Sequence, residues 1–172
     1  MNDTSFTTRA HAAIALAVGM WCALFIAAPL LGTRFPEIAS VLYALFSQIC
    51  HQMDSRSFHL AGHKLGVCFR CTAIYSSFFL TILFIPFFKK VSSRVVSSIL
   101  LFSLLPMVVD VAADTLGLHT SSTVSRLLTG SIAGAGLAVT LLPLLLEALN
   151  TIRAHQEQTR NKRGAMYATK TR

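Results

Sequence analysis

From Ala10 to Gly32 the chain carries no formal charge, and only His11 can acquire one. At 1.5 Å rise per residue, a helix over this stretch crosses a hydrocarbon core of about 30 Å. Inside lipid a backbone must satisfy its own polar groups, so a spanning apolar segment of this length is expected as a helix. The segment is too long for the apolar region of a signal peptide and lacks a convincing cleavage site, so it is expected to be retained. The rest of the chain keeps the same character. Charged residues are 13% of 172 and hydrophobic residues 53%, with a mean hydropathy of +0.61. A typical soluble domain carries about 25% charged residues, so these few could not cover a soluble surface. The expectation is an all-α membrane protein in one domain.

Four spans are expected, over about 10–32, 67–88, 93–116 and 123–149. Thr33-Arg34-Phe35-Pro36 breaks the first helix. Residues 37–50 look helical but are too short to span. They read as an interfacial or re-entrant helix at the outer face that brings Cys50 to the membrane edge. Residues 51–66 form a polar loop, with Gly62 and Gly66 as turn residues, and the second span places Cys68, Arg70 and Cys71 in its first turns. That span stops at Lys89-Lys90, and Pro106 kinks the third. Residues 117–123 make a short turn in which Ser122 or Thr123 caps the last helix. In that helix Gly130-x-x-x-Gly134, then Gly136 and Ala138, make a small-residue seam for close packing. Residues 151–172 read as a basic, disordered cytoplasmic tail. No repeat of 20 to 50 residues is present.

The formal net charge of +8 would suggest nucleic acid in a soluble protein. Here the basic residues sit mainly at segment ends and in the tail, where they set orientation and touch anionic lipid. No nucleic-acid partner is expected. With both termini inside, ten Lys and Arg residues are inner: Arg9, Lys89, Lys90, Arg94 and the six of the tail. Arg34, Arg56, Lys64, Arg70 and Arg126 are outer. This bias implies an integral membrane protein, of a bacterial inner membrane, with cytoplasmic termini and the 33–66 segment outside. Asp110, Asp114 and Arg126 then fall at the same outer level. Charges at that depth are costly unless paired or facing a wet cavity.

Residues 50–71, CHQMDSRSFHLAGHKLGVCFRC, hold three of the four cysteines and three of the six histidines. Two sulfurs in C-x-x-C are close enough to share one metal ion, and Cys50 with a histidine would complete a tetrahedral set. His51 is the obvious fourth ligand, although adjacent helical residues point about 100° apart, so both bind only if the backbone breaks there. His63 and His59 are the substitutes. Zinc or iron suits these ligands. A thiol oxidoreductase that passes electrons to a quinone is a second reading, because a C-x-x-C opening a helix has a lowered thiol pKa. A structural disulfide or structural metal in a non-enzymatic binding or transport component is a third. Cys22 reads as a buried small hydrophobe.

Asp110 and Asp114 share one helix face. With Arg126 they form either an interhelical ion-pair lock or a pocket for a polar headgroup or ion. Arg56, Arg70 and Tyr75 adjoin this pocket as candidate binding residues, Tyr75 one turn below Cys71. If the protein is an enzyme, the metal would activate water or polarise a lipid-like substrate, with Asp110, Asp114 and Arg126 as the catalytic candidates.

Cys50-His51-Gln52, Arg56-Ser57-Phe58, Gly62 and Cys68-x-Arg70-Cys71-Thr72-x-Ile74-Tyr75 together resemble the membrane family catalogued as domain of unknown function 2085. That family's pattern is CHQ, RSF and C-x-R-C-x-G-I-Y, followed by Asp-Gly and Arg-x-x-Thr-Gly. Asp110 and Arg126-x-x-Thr129-Gly130 match the last two, so the resemblance covers about residues 40–136. Ala73 stands where the family favours Gly, Val111 where Gly follows the Asp, Asp114 where Gln is usual and Thr123 roughly where Asn is usual. The resemblance implies a site and a topology, and it carries no activity with it.

Overall fold

The computed structural model describes residues 3–84, 93–118 and 120–170. Five α-helices, one 3-10 turn and one β-hairpin are formed by these residues: α1 (Asp3–Leu31), α2 (Pro36–Ser47), the 3-10 turn (Asp54–Arg56), β1 (Ser57–Leu60), β2 (His63–Cys68), α3 (Phe69–Phe84), α4 (Ser93–Thr115) and α5 (Thr123–Lys170). Among them, three helices are long and apolar enough to cross a membrane: Ser5–Leu31, Ser97–Thr115 and Thr123–Arg160. Four spans were expected. The described part of α3 has 16 residues and rises about 24 Å, less than the core thickness. Residues 85–88, over which that span was to continue, lie outside the described residues.

The hairpin corrects the all-α expectation. Ser57 faces Cys68, His59 faces Lys64 and Leu60 faces His63 in an antiparallel pair. Ala61 and Gly62 form the two-residue turn, with φ of 53° and 80°. Two consecutive positive φ values match the right-handed twist of the flanking strands, which is why this turn closes the hairpin tightly. The segment expected as a loop thus pairs its own backbone. It also moves Cys68 out of the helix: β2 ends there and α3 starts one residue later.

The last helix begins at Thr123 as expected but does not stop near residue 149. It continues to Lys170, so the tail expected to be disordered is helical. Ala, Gln, Glu, Lys and Arg dominate residues 153–163 and are good helix formers. An Arg153–Glu157 pair at 3.0 Å adds i,i+4 support.

α5 is the axis of the bundle. A Cβ on Gly134 would collide with the Ile74 carbonyl oxygen of α3, and one on Gly136 with the Ser103 side chain of α4. The seam therefore brings the α3 backbone and the Ser103 side chain of α4 against α5, as its small residues predict. One apolar cluster, Ile82, Ala138 and Leu142, is packed by Ile14 and Val18 of α1. The second, around Phe25, Phe46, Leu65 and Val67, binds α1, α2 and the hairpin together.

The helices put two kinds of residue at opposite ends. At one end Asn150 Nδ2 donates to Thr7 Oγ1 at 3.4 Å, and the Arg153 guanidinium lies 4.5 Å from the Phe6 ring centroid. At the other end the hairpin, the start of α3, the end of α4 and the start of α5 meet. Every candidate site residue lies there.

Candidate metal centre and polar cleft

Cys50, Cys68 and Cys71 come together. Their sulfurs all lie within 4.8 Å of one another, and this group could hold a metal ion. Tetrahedral thiolate bound at 2.3 Å gives sulfur–sulfur edges of about 3.8 Å, so closing on an ion needs a contraction of about 1 Å at most. All three are free thiols.

Local structure explains the convergence. Cys50 follows α2, where its N–H still bonds the Phe46 carbonyl at 3.0 Å. Cys68 ends β2 and donates its own N–H to Cys50 Sγ at 3.3 Å. Cys71 stands in the first turn of α3. The Cys68 thiol is held well below its usual pKa range. The main cause is the side-chain hydrogen bond with Cys50, then that with Cys71, and the Cys71 and Arg70 backbone N–H groups add to it. Cys68 also stands where the start of a helix favours negative charge.

A second tier holds the corner. Gln52 adopts φ of 49° and is buried. Its side-chain amide donates to the Tyr43 carbonyl and to the Gly66 carbonyl, both at 2.8 Å. Its own carbonyl accepts from Lys64 Nζ at 2.7 Å. This clamp ties the end of α2 to β2 and so fixes Cys50 against Cys68. Beneath the sulfurs lies an aromatic floor: Trp21 packs edge-on against Phe46 at 5.0 Å and Tyr75 at 6.1 Å. Tyr75 serves as packing here, with Phe25 tilted against it at 6.2 Å. Cys22 lies in the same cluster, its Sγ 3.6 Å from the Tyr75 carbonyl, and does not join the three thiols.

The histidines do not complete the set. Among the described residues, no His, Asp or Glu joins the three sulfurs. The backbone does break at residues 50–52, as a Cys50–His51 pair would need, but it turns Gln52 inward and leaves His51 exposed. His59 pairs with Asp54 at 3.1 Å on the exposed face. The His63 ring lies against Gly32, where a Cβ would be 3.1 Å away.

The charged residues assemble beside the sulfurs. Arg70, between Cys68 and Cys71 in sequence, pairs with Asp110, which also accepts from Ser125 Oγ. One turn further on, Asp114 Oδ2 takes both Arg126 Nη2 at 3.0 Å and Arg56 Nη1 at 3.2 Å. Asp114 Oδ1 accepts the Ser121 N–H at 3.1 Å, and Arg126 Nε donates to the Ser121 carbonyl at 3.1 Å. Arg126 is 6% exposed, so its charge is affordable only through these bonds. Arg70 Nε and Thr72 Oγ1 are buried with no hydrogen-bond partner among the described residues. Ser121, Ser125 and Gln52 were not anticipated as site residues. Only the CHQ motif pointed to Gln52, and nothing in the sequence marked the serines beyond their place in a Ser/Thr-rich turn.

Three membrane-length helices crowned by a thiol cluster and an ion-pair network define an integral membrane protein with a candidate metal centre. Residues 50–140 match the profile of a family described as "Predicted membrane protein (DUF2085)", more than half the chain, and the protein belongs to that family. It is 39% identical over 114 residues to the uncharacterized protein MJ1492 of Methanocaldococcus jannaschii, covering 65% of this chain and 73% of the relative. It is also 38% identical over 97 residues to an uncharacterized protein of Methanothermobacter thermautotrophicus, covering 55% of this chain and 85% of the relative. Both relatives are archaeal, so they lend no support to a bacterial inner membrane. No solved structure matches the chain.

Proposed function

We propose that this membrane protein is built around a single metal–thiolate centre, with Cys50, Cys68 and Cys71 as ligands to one zinc or iron ion. The observation that carries this reading is the mutual approach of the three sulfurs within 4.8 Å. Each of the two motifs supplies part of it, and a backbone N–H points at one sulfur. Three protein ligands leave a fourth position for water or substrate, the pattern of catalytic rather than structural zinc. A bound ion would supply Lewis acidity there. Arg70 links the centre to the Asp110 carboxylate, and the cleft beyond offers room for the polar part of a lipid-like substrate. The expected orientation, thiols on the outer side and both termini cytoplasmic, draws support from the charge bias and from the Thr7–Asn150 contact, which keeps the two terminal helices together.

Elemental analysis of purified protein tests the centre. About one zinc or iron per chain is expected, falling to near zero in Cys68→Ser. Metal-free wild-type protein with its thiols intact would overturn the reading. Three free thiols in mutual reach also suit a thiol oxidoreductase coupled to quinone. Thiol trapping in cells separates the two: oxidoreductase activity requires two exchanging redox states of the cysteines, and the metal centre predicts one.

A further inference from the structure

We propose that the cleft between the 3-10 turn Asp54–Arg56, the start of α3 and the α4–α5 turn is an oxyanion site that takes a phosphate group. The cavity measures about 190 Å³ and is lined by Arg56, Arg126, Asp114, Thr120, Ser121 and Thr123, among others. A single water needs only about 10–15 Å³ on this measure, so the cleft has room for a polyatomic ion.

The charge balance gives the sign of the ligand. Two guanidinium groups line the cleft, and both converge on the same carboxylate oxygen, Asp114 Oδ2. The other oxygen of Asp114 is taken by the Ser121 N–H. The carboxylate is therefore fully engaged, and the lining keeps a surplus positive charge. It also keeps surplus donors. A guanidinium carries five N–H groups in a fixed fork that matches oxyanion geometry. Arg126 is positioned by Ser121 and Asp114, which aim a buried guanidinium at the cleft. Arg56 makes one ion pair among the described residues, and its side chain is 40% exposed. It arrives from the 3-10 turn Asp54–Arg56, whose Asp54 pairs with His59, and it shares Asp114 with Arg126.

A simple interhelical lock would need only Arg126 and Asp114. The second guanidinium is what the lock leaves unexplained and what an anion would use. Thr123, the first residue of α5, also lines the cleft, so the positive end of a long helix faces the same space. Four hydroxyl residues, Ser55, Thr120, Ser121 and Thr123, also line the cleft and add hydroxyl groups that can partner phosphate oxygens. The site needs no metal at the cysteines, and none of the three cysteines lines it.

A phosphate group can reach this cleft as a free ion or on a lipid headgroup, and one experiment separates them. Full-length protein in neutral detergent is titrated with inorganic phosphate, or with dihexanoyl phosphatidic acid, against chloride at matched ionic strength, by calorimetry and thermal unfolding. The expected result is saturable binding of one of the two probes, weakened about tenfold or more in Arg56→Gln. Arg56→Lys, which keeps the charge but not the fork, should fall between them. Arg56 is partly exposed, so these variants should fold, and their unliganded melting temperatures check that they do. Binding of phosphate itself assigns a free ion, and binding of phosphatidic acid alone assigns a headgroup. No saturable binding of either probe overturns the proposal. So does binding that Arg56→Gln leaves unchanged.

Discussion

The sulfur half and the charge half of the site meet at the first turn of α3, yet they are held together in opposite ways. The three sulfurs come from a contiguous stretch of chain and are placed mainly by backbone: a hairpin register, an N–H on Cys50 Sγ and the start of a helix. The charges come from the 3-10 turn, α3, α4 and α5, and side chains pair with side chains across helix boundaries. The sulfur half needs the end of α2, the hairpin and the first turn of α3. The charge half exists only after α3, α4 and α5 have packed. The first therefore offers uncommitted chemistry on a local frame, while most of the second is consumed in holding the bundle together.

Breaking the charge half should accordingly have the largest effect on stability. Asp110→Ala would leave the Arg70 guanidinium, 17% exposed at its side chain, without its carboxylate. Removing one partner of a buried pair typically costs 3–5 kcal/mol, and the residual exposure of Arg70 favours the lower end, about 3 kcal/mol. Unfolding in detergent measures it. Replacing both partners by apolar residues, as in Asp110→Leu with Arg70→Met, should recover most of the loss. A double variant as unstable as Asp110→Ala would show that the pair does more than satisfy itself.

An intermediate effect is expected from the clamp of the sulfur half. Gln52→Ala removes two donors from the buried carbonyls of Tyr43 and Gly66. Unsatisfied buried polar groups cost about 1–3 kcal/mol. Gln52 touches no sulfur, so the distinctive readout is metal: affinity should fall while the stoichiometry at saturating metal stays at one per chain. Second-tier partners of metal ligands typically change affinity by about 10–100-fold. Unchanged affinity would mean that the corner holds its shape without the clamp.

The same contrast explains what could be read from the sequence. Cys50, Cys68 and Cys71 stood out because chemistry-bearing residues at short spacing keep their neighbourhood however the helices pack. Asp110, Asp114 and Arg126 were placed at one level by helix length alone, since few depths are available to charges in lipid. Their pairing was not legible: two arginines share Asp114 and one takes Asp110, and that depends on helix rotation. The hairpin was missed because its turn is Ala61-Gly62 rather than the Asn-Gly or Asp-Gly that usually marks a two-residue turn. The helical run beyond Asn150 was missed because its charge suggested solvation, while its composition also favours helix.

The smallest expected effect bears on the residue where sequence and structure part. By motif alone His51 is the fourth ligand. In the folded chain it is exposed beside an inward-turned Gln52 and lies outside the sulfur group. His51→Ala should change stability by no more than about 0.5 kcal/mol, as exposed substitutions do. Metal per chain, measured on purified protein, should equal that of wild type. The fourth position would then belong to an exogenous ligand, and small anions that bind metal should perturb the spectrum of a cobalt-substituted centre. If His51→Ala instead loses the ion, the loop must close over the metal. The sulfur half would then depend on a rearrangement that the charge half does not need.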